Sequence, residues 1–272
     1  MSLIEFSQPN LPDKIAQSVF NDASISAAEW CSPRSFRLEA GLAWLASRAF
    51  VGEKDQQFWF IGPDFGACVS AMNTLKGALT PGSFTPAQRA PAFNLINGSS
   101  LYFKSAENIN ALFADAVFAA VIDQAIHVPE KAWSALQRTF ANTHTPLRVL
   151  STVAGRANWF YDFARQVERD NTSEPERYFF SRFSCYDALE AGLIEQEDID
   201  YARATLPDHV FRALYLAEAY DDRIEAAHKA ADARLMTDTE LAIIANIDPN
   251  ELDAISDEEL ASLAQERSWT NA

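Results

Sequence analysis

The short run Ala119-Ala-Val-Ile-Asp-Gln124 is the stretch that indicates the fold. Its four apolar residues are too few for a helix and are typical of a strand that is buried on both faces. Strand-like and helix-like segments alternate around it at lengths that suit βαβ crossovers. The strand-like segments are 25–30, 57–61, 101–103, 119–122 and 147–152, and the helix-like segments are 39–50, 67–79 and 129–140. The sequence therefore predicts an α/β fold with a mainly parallel sheet flanked by helices.

The polar, proline-containing stretch 170–176 indicates a boundary along the chain. One further strand-like segment, 178–184, follows it, and helices come after that segment. Near the C-terminus the pair Thr237 and Glu240 fits a capping box, which predicts a short helix there. The predicted regions are an α/β core at 1–169, a linker subdomain at 170–234 and an acidic helical tail at 235–272.

The composition limits the classes of function. The chain has a formal net charge of −16, so charge does not support DNA binding along a broad basic face. Nine acidic residues and one basic residue, Arg267, lie from Asp238 onward, so the body could still carry a basic strip and DNA contact stays open. No run of eighteen uncharged apolar residues occurs, and the first residues do not resemble a signal peptide. We expect no membrane association and a cytoplasmic location.

Five segments follow one another in a recognisable order. They are Phe60-Ile-Gly-Pro-Asp64, Gly98–Leu112, Ala120-Val-Ile-Asp-Gln-Ala-Ile-His-Val-Pro-Glu130, Arg148-Val-Leu-Ser-Thr-Val-Ala-Gly155 and Thr205-Leu-Pro-Asp208. In this order and spacing they resemble the ATPase (motor) domain of the phage terminase large subunit, the family that pumps viral DNA into capsids. The likeness covers about four-fifths of the chain.

This resemblance implies a P-loop NTPase-like fold, a phage or prophage origin and a place in the cytoplasm of a bacterial host. It implies partners among other packaging subunits, such as a terminase or portal, or further copies of the chain. A working site of the family would use ATP and Mg²⁺. The likeness stops near Asp222, where the family's nuclease domain would follow, so we do not expect this polypeptide to cut DNA.

The family's phosphate-binding loop would fall after the first strand, at Cys31–Leu38. Such a loop uses glycine for close backbone approach, lysine to reach the phosphates and a hydroxyl to bind Mg²⁺. Lined up with it, Cys31 and Phe36 replace the glycines, Arg37 replaces the lysine and Leu38 replaces the hydroxyl residue. Pro33 also removes a backbone donor. We therefore expect a degenerate loop.

The residue at the family's catalytic carboxylate position also differs in this sequence from the family's pattern. Asp123 stands where the resemblance places the Mg²⁺-associated carboxylate, and Gln124 stands where the family has its catalytic glutamate. An amide cannot take a proton from water, so general-base catalysis should be lost. Arg34, Arg37 and Asp123 form the predicted remnant of the nucleotide site. Alternatively, the two arginines are solvated or salt-bridged at a helix start, and Asp123 caps the following turn.

Ser151 and Thr152 match the family's coupling motif, although they could also serve only local backbone groups. The function expected from the resemblance is a terminase-like DNA-packaging protein with little or no ATP hydrolysis. One alternative is a pseudo-ATPase scaffold that docks an active motor or portal through its acidic helical tail. Another is a working ATPase in which Arg37 partly stands in for the missing lysine.

Overall fold

A computed structural model describes most of the chain. The chain divides into two compact units, Met1–Tyr220 and Asp221–Ala272. The predicted tail at 235–272 and Arg34 lie outside the described residues, and the predicted domain boundaries stay predictions. The described residues are 11–30, 36–88, 90–114, 116–141 and 143–221.

The described residues contain one mixed sheet of eight strands. In chain order the strands are β1 (Ile25–Trp30), β2 (Gln57–Gly62), β3 (Phe84–Pro86), β4 (Ala92–Leu95), β5 (Ser100–Ser105), β6 (Ala119–Asp123), β7 (Leu147–Ser151) and β8 (Tyr178–Phe183). They lie in the order β3-β4-β5-β2-β6-β7-β1-β8. The six strands from β5 to β8 in that order are parallel, and β3 and β4 add an antiparallel edge. The predicted α/β fold with a mainly parallel sheet is confirmed.

Helices cover both faces of this sheet. They are α1 (Asp13–Phe20), α2 (Arg37–Phe50), α3 (Phe65–Ala78), α4 (Glu130–Ala141), α5 (Trp159–Ser173), α6 (Cys185–Glu190), α7 (Gln196–Thr205) and α8 (Asp208–Leu216). The first three helices share one hydrophobic core with the sheet, and α4 and α5 share the other. None of the helices in the described ranges is long and apolar enough to cross a bilayer.

The central strand β6 shows why its sequence is apolar without alternation. Ala119 and Val121 belong to the core under α2, whereas Ala120 and Ile122 belong to the core on the opposite face. All five residues of the strand are buried. A parallel strand that is covered on both faces needs an unbroken apolar run, which the sequence supplies.

Some elements were not expected from the sequence. Helix α1 has only eight residues, and β3 has three, so neither is long enough to give a clear periodic pattern. The segment 178–184 of the predicted linker subdomain forms β8, which pairs with β1 at the end of the sheet. The residues of the predicted core and of the linker subdomain thus contribute strands to one sheet.

A glycine lets α2 lie close to the sheet. A Cβ atom on Gly41 would come within 2.9 Å of Leu150 Cδ1 and 3.1 Å of Val121 Cγ1. These distances are tighter than ordinary contacts, so a larger residue would force Leu150 and Val121 to shift, and glycine allows the approach without that strain. The approach places the first turn of α2 over the C-terminal ends of β6 and β7.

The buried guanidinium of Arg148 joins four elements. Arg148 lies on β7, is almost wholly buried, and lies 4.3 Å from the Trp44 ring of α2. Its nitrogens donate to the carbonyl oxygens of Val19 (2.7 Å), Asn21 (2.8 Å) and Ala23 (3.0 Å), which end α1 and lead into β1. Burial lowers the pKa of Arg148 to about 9, which still leaves it protonated at neutral pH. The charged guanidinium group therefore donates hydrogen bonds to carbonyl oxygens that would otherwise be buried without donors.

Replacing Arg148 by methionine is expected to lower the free energy of unfolding by about 3 kcal/mol or more, because several buried carbonyl groups would lose their donors. Chemical denaturation followed by circular dichroism measures this change. The exposed Arg48 on α2 offers a matched control, since Arg48→Met should change stability by less than about 0.5 kcal/mol. Equal effects of the two substitutions would show that Arg148 has no special structural role.

Candidate functional site

The C-terminal ends of neighbouring parallel strands meet at one edge of the sheet. Asp123 is the last residue of β6, Ser151 is the last residue of β7, and β7 lies between β6 and β1. Helix α2 begins at Arg37, immediately beside this edge. In open parallel sheets, ligand sites form at this edge, outside the carboxyl ends of the strands. Arg37, Asp123 and Ser151 therefore lie at the edge where this fold would place a ligand site, and their role in a site stays a prediction.

The structure brings two of the three predicted remnant residues together. Arg37 Nε donates to Asp123 Oδ1 at 2.6 Å, across 86 positions of sequence. The Asp123 side chain is 4% exposed and that of Arg37 is 17% exposed. A short charge-assisted hydrogen bond with so little solvent around it compensates the charge of the carboxylate. The third predicted residue, Arg34, lies outside the described residues.

These residues do not fit a Mg²⁺ ion held at Asp123. Mg²⁺ binds through oxygen ligands in octahedral geometry, and here the guanidinium of Arg37 already lies against the carboxylate. Leu38, at the position of the family's hydroxyl ligand, packs against the hydrophobic core. In the described part of the chain no three His, Cys, Asp or Glu side chains cluster as metal ligands do.

Gln124 follows the ion pair at the end of β6. Its backbone is left-handed, with φ of 53°, and the residue precedes a short 3₁₀ helix, Ala125–His127. The side chain is half-buried and ends in a neutral amide, which can hydrogen-bond to water and cannot act as a general base. Its position directly after the buried strand matches the position predicted from the sequence.

The two residues of the predicted coupling motif behave differently. Ser151 is fully buried, and its Oγ accepts a hydrogen bond from the Ile126 backbone N–H at 3.0 Å. This bond joins the end of β7 to the short helix that follows Gln124. Thr152 lies just beyond β7 and is half-buried. Ser151 thus satisfies a backbone donor 25 positions away, and the role of both residues in a coupling motif stays a prediction.

Phe36 keeps a glycine-like backbone at the entry to α2. Its φ is 49° and its ψ is 25°, a left-handed conformation that costs an ordinary residue about 1 kcal/mol. The side chain is 36% exposed and lines a cleft of about 770 Å³ together with Leu11, Lys14 and Phe183. The position aligned with the second glycine therefore keeps an unusual backbone conformation but carries an aromatic ring.

A second buried carboxylate, which sequence reasoning missed, lies two strands away from Asp123, on β1. Glu29 on β1 is 1% exposed, and its Oε2 accepts from Arg182 Nη2 at 2.9 Å. Its Oε1 lies 2.5 Å from Arg165 Nη2 on α5. The only sequence signal is one acidic residue within an apolar strand, which does not identify its partners.

Comparison with solved structures agrees with this fold. The ATPase domain of the large terminase from Thermus phage P74-26 aligns with a TM-score of 0.59 and 19% identity, covering 77% of this chain and 94% of that one. The HK97 bacteriophage large terminase aligns with a TM-score of 0.61 and 12% identity, covering 78% of this chain and 52% of that one. A large terminase from a thermophilic bacteriophage gives 0.57 and 12%, covering 75% and 52%.

The chain thus spans about half the length of two of these terminases and nearly all of the isolated ATPase domain. No protein-family model and no curated protein sequence matches it. The resemblance stated from the sequence motifs agrees with the structural match over most of the chain. The described residues of this protein have the fold of the ATPase domain of phage large terminases.

Proposed function

We propose that this chain is a terminase-like protein of viral DNA packaging that hydrolyses little or no ATP. The fold it shares with large-terminase ATPase domains supports the packaging assignment. One of the similar large terminases has been solved with ADP and with ATP-γ-S, so that protein's version of the fold binds nucleotide. In this chain the end of β6 carries the ion pair between Asp123 and Arg37.

The ion pair between Arg37 and Asp123 is the observation that carries the proposal. A metal-dependent NTPase needs a carboxylate that is available to the metal, directly or through water. In this chain a guanidinium already neutralises the carboxylate at 2.6 Å. Mg²⁺ would have to compete with the Arg37 guanidinium for a carboxylate that is only 4% exposed. Binding of Mg²⁺–ATP is therefore disfavoured before any chemistry begins.

Two neighbouring residues support the same conclusion. Gln124 offers an amide where a water-activating carboxylate would be needed. Phe36 places a ring at a position where the backbone would have to approach a phosphate closely. The alternative in which Arg37 replaces the lysine is less well supported, because its guanidinium already pairs with the Asp123 carboxylate.

We further propose that the chain acts in the host cytoplasm together with other packaging subunits, either a terminase or a portal, or with copies of itself. Its net charge of −16 favours protein partners over unassisted contact with DNA. The second candidate function, a scaffold that docks an active motor through the acidic tail, depends on residues 235–272, whose acidic and apolar composition motivates it. Those residues lie outside the described part of the chain.

Purified protein is expected to give no detectable heat when millimolar ATP with Mg²⁺ is titrated into it, and no phosphate release above that of Asp123→Ala. The reason is that Arg37 is already bonded to the Asp123 carboxylate and that Gln124 cannot act as a base. Calorimetry and a phosphate-release assay measure the two quantities. Hydrolysis by the wild-type protein that disappears in Asp123→Ala would overturn the proposal.

A double-mutant cycle measures the interaction free energy between Arg37 and Asp123. Arg37→Ala should lower the free energy of unfolding by about 3 kcal/mol, because it leaves Asp123 buried without a partner. Asp123→Ala should cost less, since the more exposed Arg37 can turn toward water. The double variant should be more stable than the sum of the single changes predicts, by at least about 1 kcal/mol. Additive effects would show that the two side chains do not interact in solution.

The packaging role itself is tested in cells that produce the virus. Disrupting the gene is expected to lower the amount of DNase-protected viral DNA per capsid while capsid assembly continues. A gene that carries Gln124→Ala should restore packaging as well as the wild-type gene, because the amide transfers no proton. Unchanged protected DNA after disruption would contradict the packaging assignment.

A further inference from the structure

Strand β8 lies at the end of the sheet and has a neighbour on one side. It pairs in parallel with β1 over six positions, from Ile25 opposite Tyr178 to Trp30 opposite Phe183. Within the described ranges no strand pairs with its other side. Its sequence is Tyr-Phe-Phe-Ser-Arg-Phe, and all of its residues except Phe183 are partly exposed.

The hydrogen-bonding direction of each residue of β8 follows from one bond. The Ile25 N–H donates to the Arg177 carbonyl at 2.9 Å. In a parallel ladder this bond directs the backbone groups of Phe179 and Ser181 toward β1. The N–H and C=O groups of Phe180 and Arg182 then point away from the sheet. The carbonyl of Tyr178 also points away from the sheet. The Tyr178 N–H is not available, because it donates to the Glu174 carbonyl.

This edge has few of the features that keep exposed strands from pairing. Such strands are normally short or bulged, or they carry lysine or proline. β8 has six residues, of which four are aromatic, and contains neither proline nor lysine. Its one charge, Arg182, is partly neutralised by the buried Glu29. No described residue bonds to the outward backbone groups of Phe180 and Arg182, so this aromatic strand is available to bind another strand.

We infer that β8 pairs antiparallel with β8 of a second copy of this chain, around a two-fold axis at Phe180. In this register the outward groups of Phe180 meet those of Phe180 in the second copy, and Tyr178 lies opposite Arg182 at both ends. Four hydrogen bonds form from the Phe180 and Arg182 N–H groups of the two copies. The two eight-stranded sheets become one continuous sheet.

The side chains of this register complement one another. Tyr178, Phe180 and Arg182 project on the same face of β8, because side chains alternate along a strand. The Arg182 guanidinium, 40% exposed, already lies 5.5 Å from its own Phe180 ring. In the dimer it would meet the Tyr178 ring of the second copy, a favourable cation–π arrangement. The two Phe180 rings would meet at the axis.

The other symmetric registers are less favourable. A two-fold axis at Arg182 would place two guanidinium groups opposite each other, and directly opposed like charges destabilise a sheet. An axis at Tyr178 would need an N–H group that already donates to Glu174 at 3.0 Å. An axis at Phe179 pairs Tyr178 with Phe180 and again needs the Tyr178 N–H. An axis at Ser181 pairs Phe180 with Arg182 and also allows four hydrogen bonds, but it removes both contacts between Arg182 and the Tyr178 ring of the second copy. The axis at Phe180 is therefore the register that combines four hydrogen bonds with those two contacts.

Two charge variants at one position test the register in the full-length chain. Tyr178→Lys and Tyr178→Glu lose the same ring, but lysine would face Arg182 of the second copy and glutamate would pair with it. Sedimentation equilibrium is expected to show a wild-type dimer that depends on concentration. The dissociation constant of the Tyr178→Lys dimer should be at least about tenfold higher than that of the Tyr178→Glu dimer. At both ends of the interface, lysine would repel Arg182 of the second copy, whereas glutamate would attract it. A monomer at every concentration, or equal dissociation constants, would overturn the proposal.

Amide hydrogen exchange on the wild-type chain gives a test without substitutions. The Phe180 and Arg182 amides should exchange more slowly as protein concentration rises, because only the dimer bonds them. The Phe179 and Ser181 amides should be protected at all concentrations, since they donate to β1. If the Phe180 and Arg182 amides are protected to the same extent at concentrations where the chain is a monomer, the chain covers its own edge and the inference is wrong.

Discussion

The buried guanidinium of Arg148 is the interaction on which the arrangement of the site depends. It bonds to carbonyls in the last turn of α1 and just after it and lies against Trp44, so it fixes α1 and α2 relative to β7. Gly41 then allows α2 to lie directly on Val121 and Leu150. The regular geometry of the helix then sets the position of its first turn relative to this packed middle. Arg37 therefore reaches Asp123 through the packing of the whole helix.

This dependence explains why the site can persist without a bound ligand. A carboxylate at the end of a fully buried strand would be costly if nothing compensated its charge. Arg37 supplies that compensation from within the chain, in a hydrogen bond of 2.6 Å. The folded state then needs neither metal nor nucleotide for the charge balance of this edge. A similar balance exists at Glu29, where Arg165 and Arg182 compensate a second carboxylate.

The sequence was sufficient to predict the central strands, since fully buried strands need unbroken apolar runs and helices need periodic ones. It also located Asp123 and Gln124 at the end of β6, because the motif order fixed the alignment there. The pairing of Arg37 with Asp123 could not be predicted, since it depends on how closely α2 approaches the sheet. The role of Arg148 was missed for a related reason. One charged residue in an apolar strand does not reveal that its acceptors are carbonyls more than 120 positions away.

The compensation at Asp123 also bears on how such a site could change during evolution. If the phosphate-binding residues were lost while the carboxylate stayed unpaired, the fold would lose several kcal/mol of stability, a large part of what a domain has. Arg37, at the first position of α2, avoids this loss. Its side chain reaches the Asp123 carboxylate, and its planar guanidinium group keeps a fixed hydrogen-bonding geometry. The bond between Arg37 and Asp123 therefore stabilises the fold whether or not nucleotide is present. Under the function proposed above, the same bond also competes with Mg²⁺ for the carboxylate.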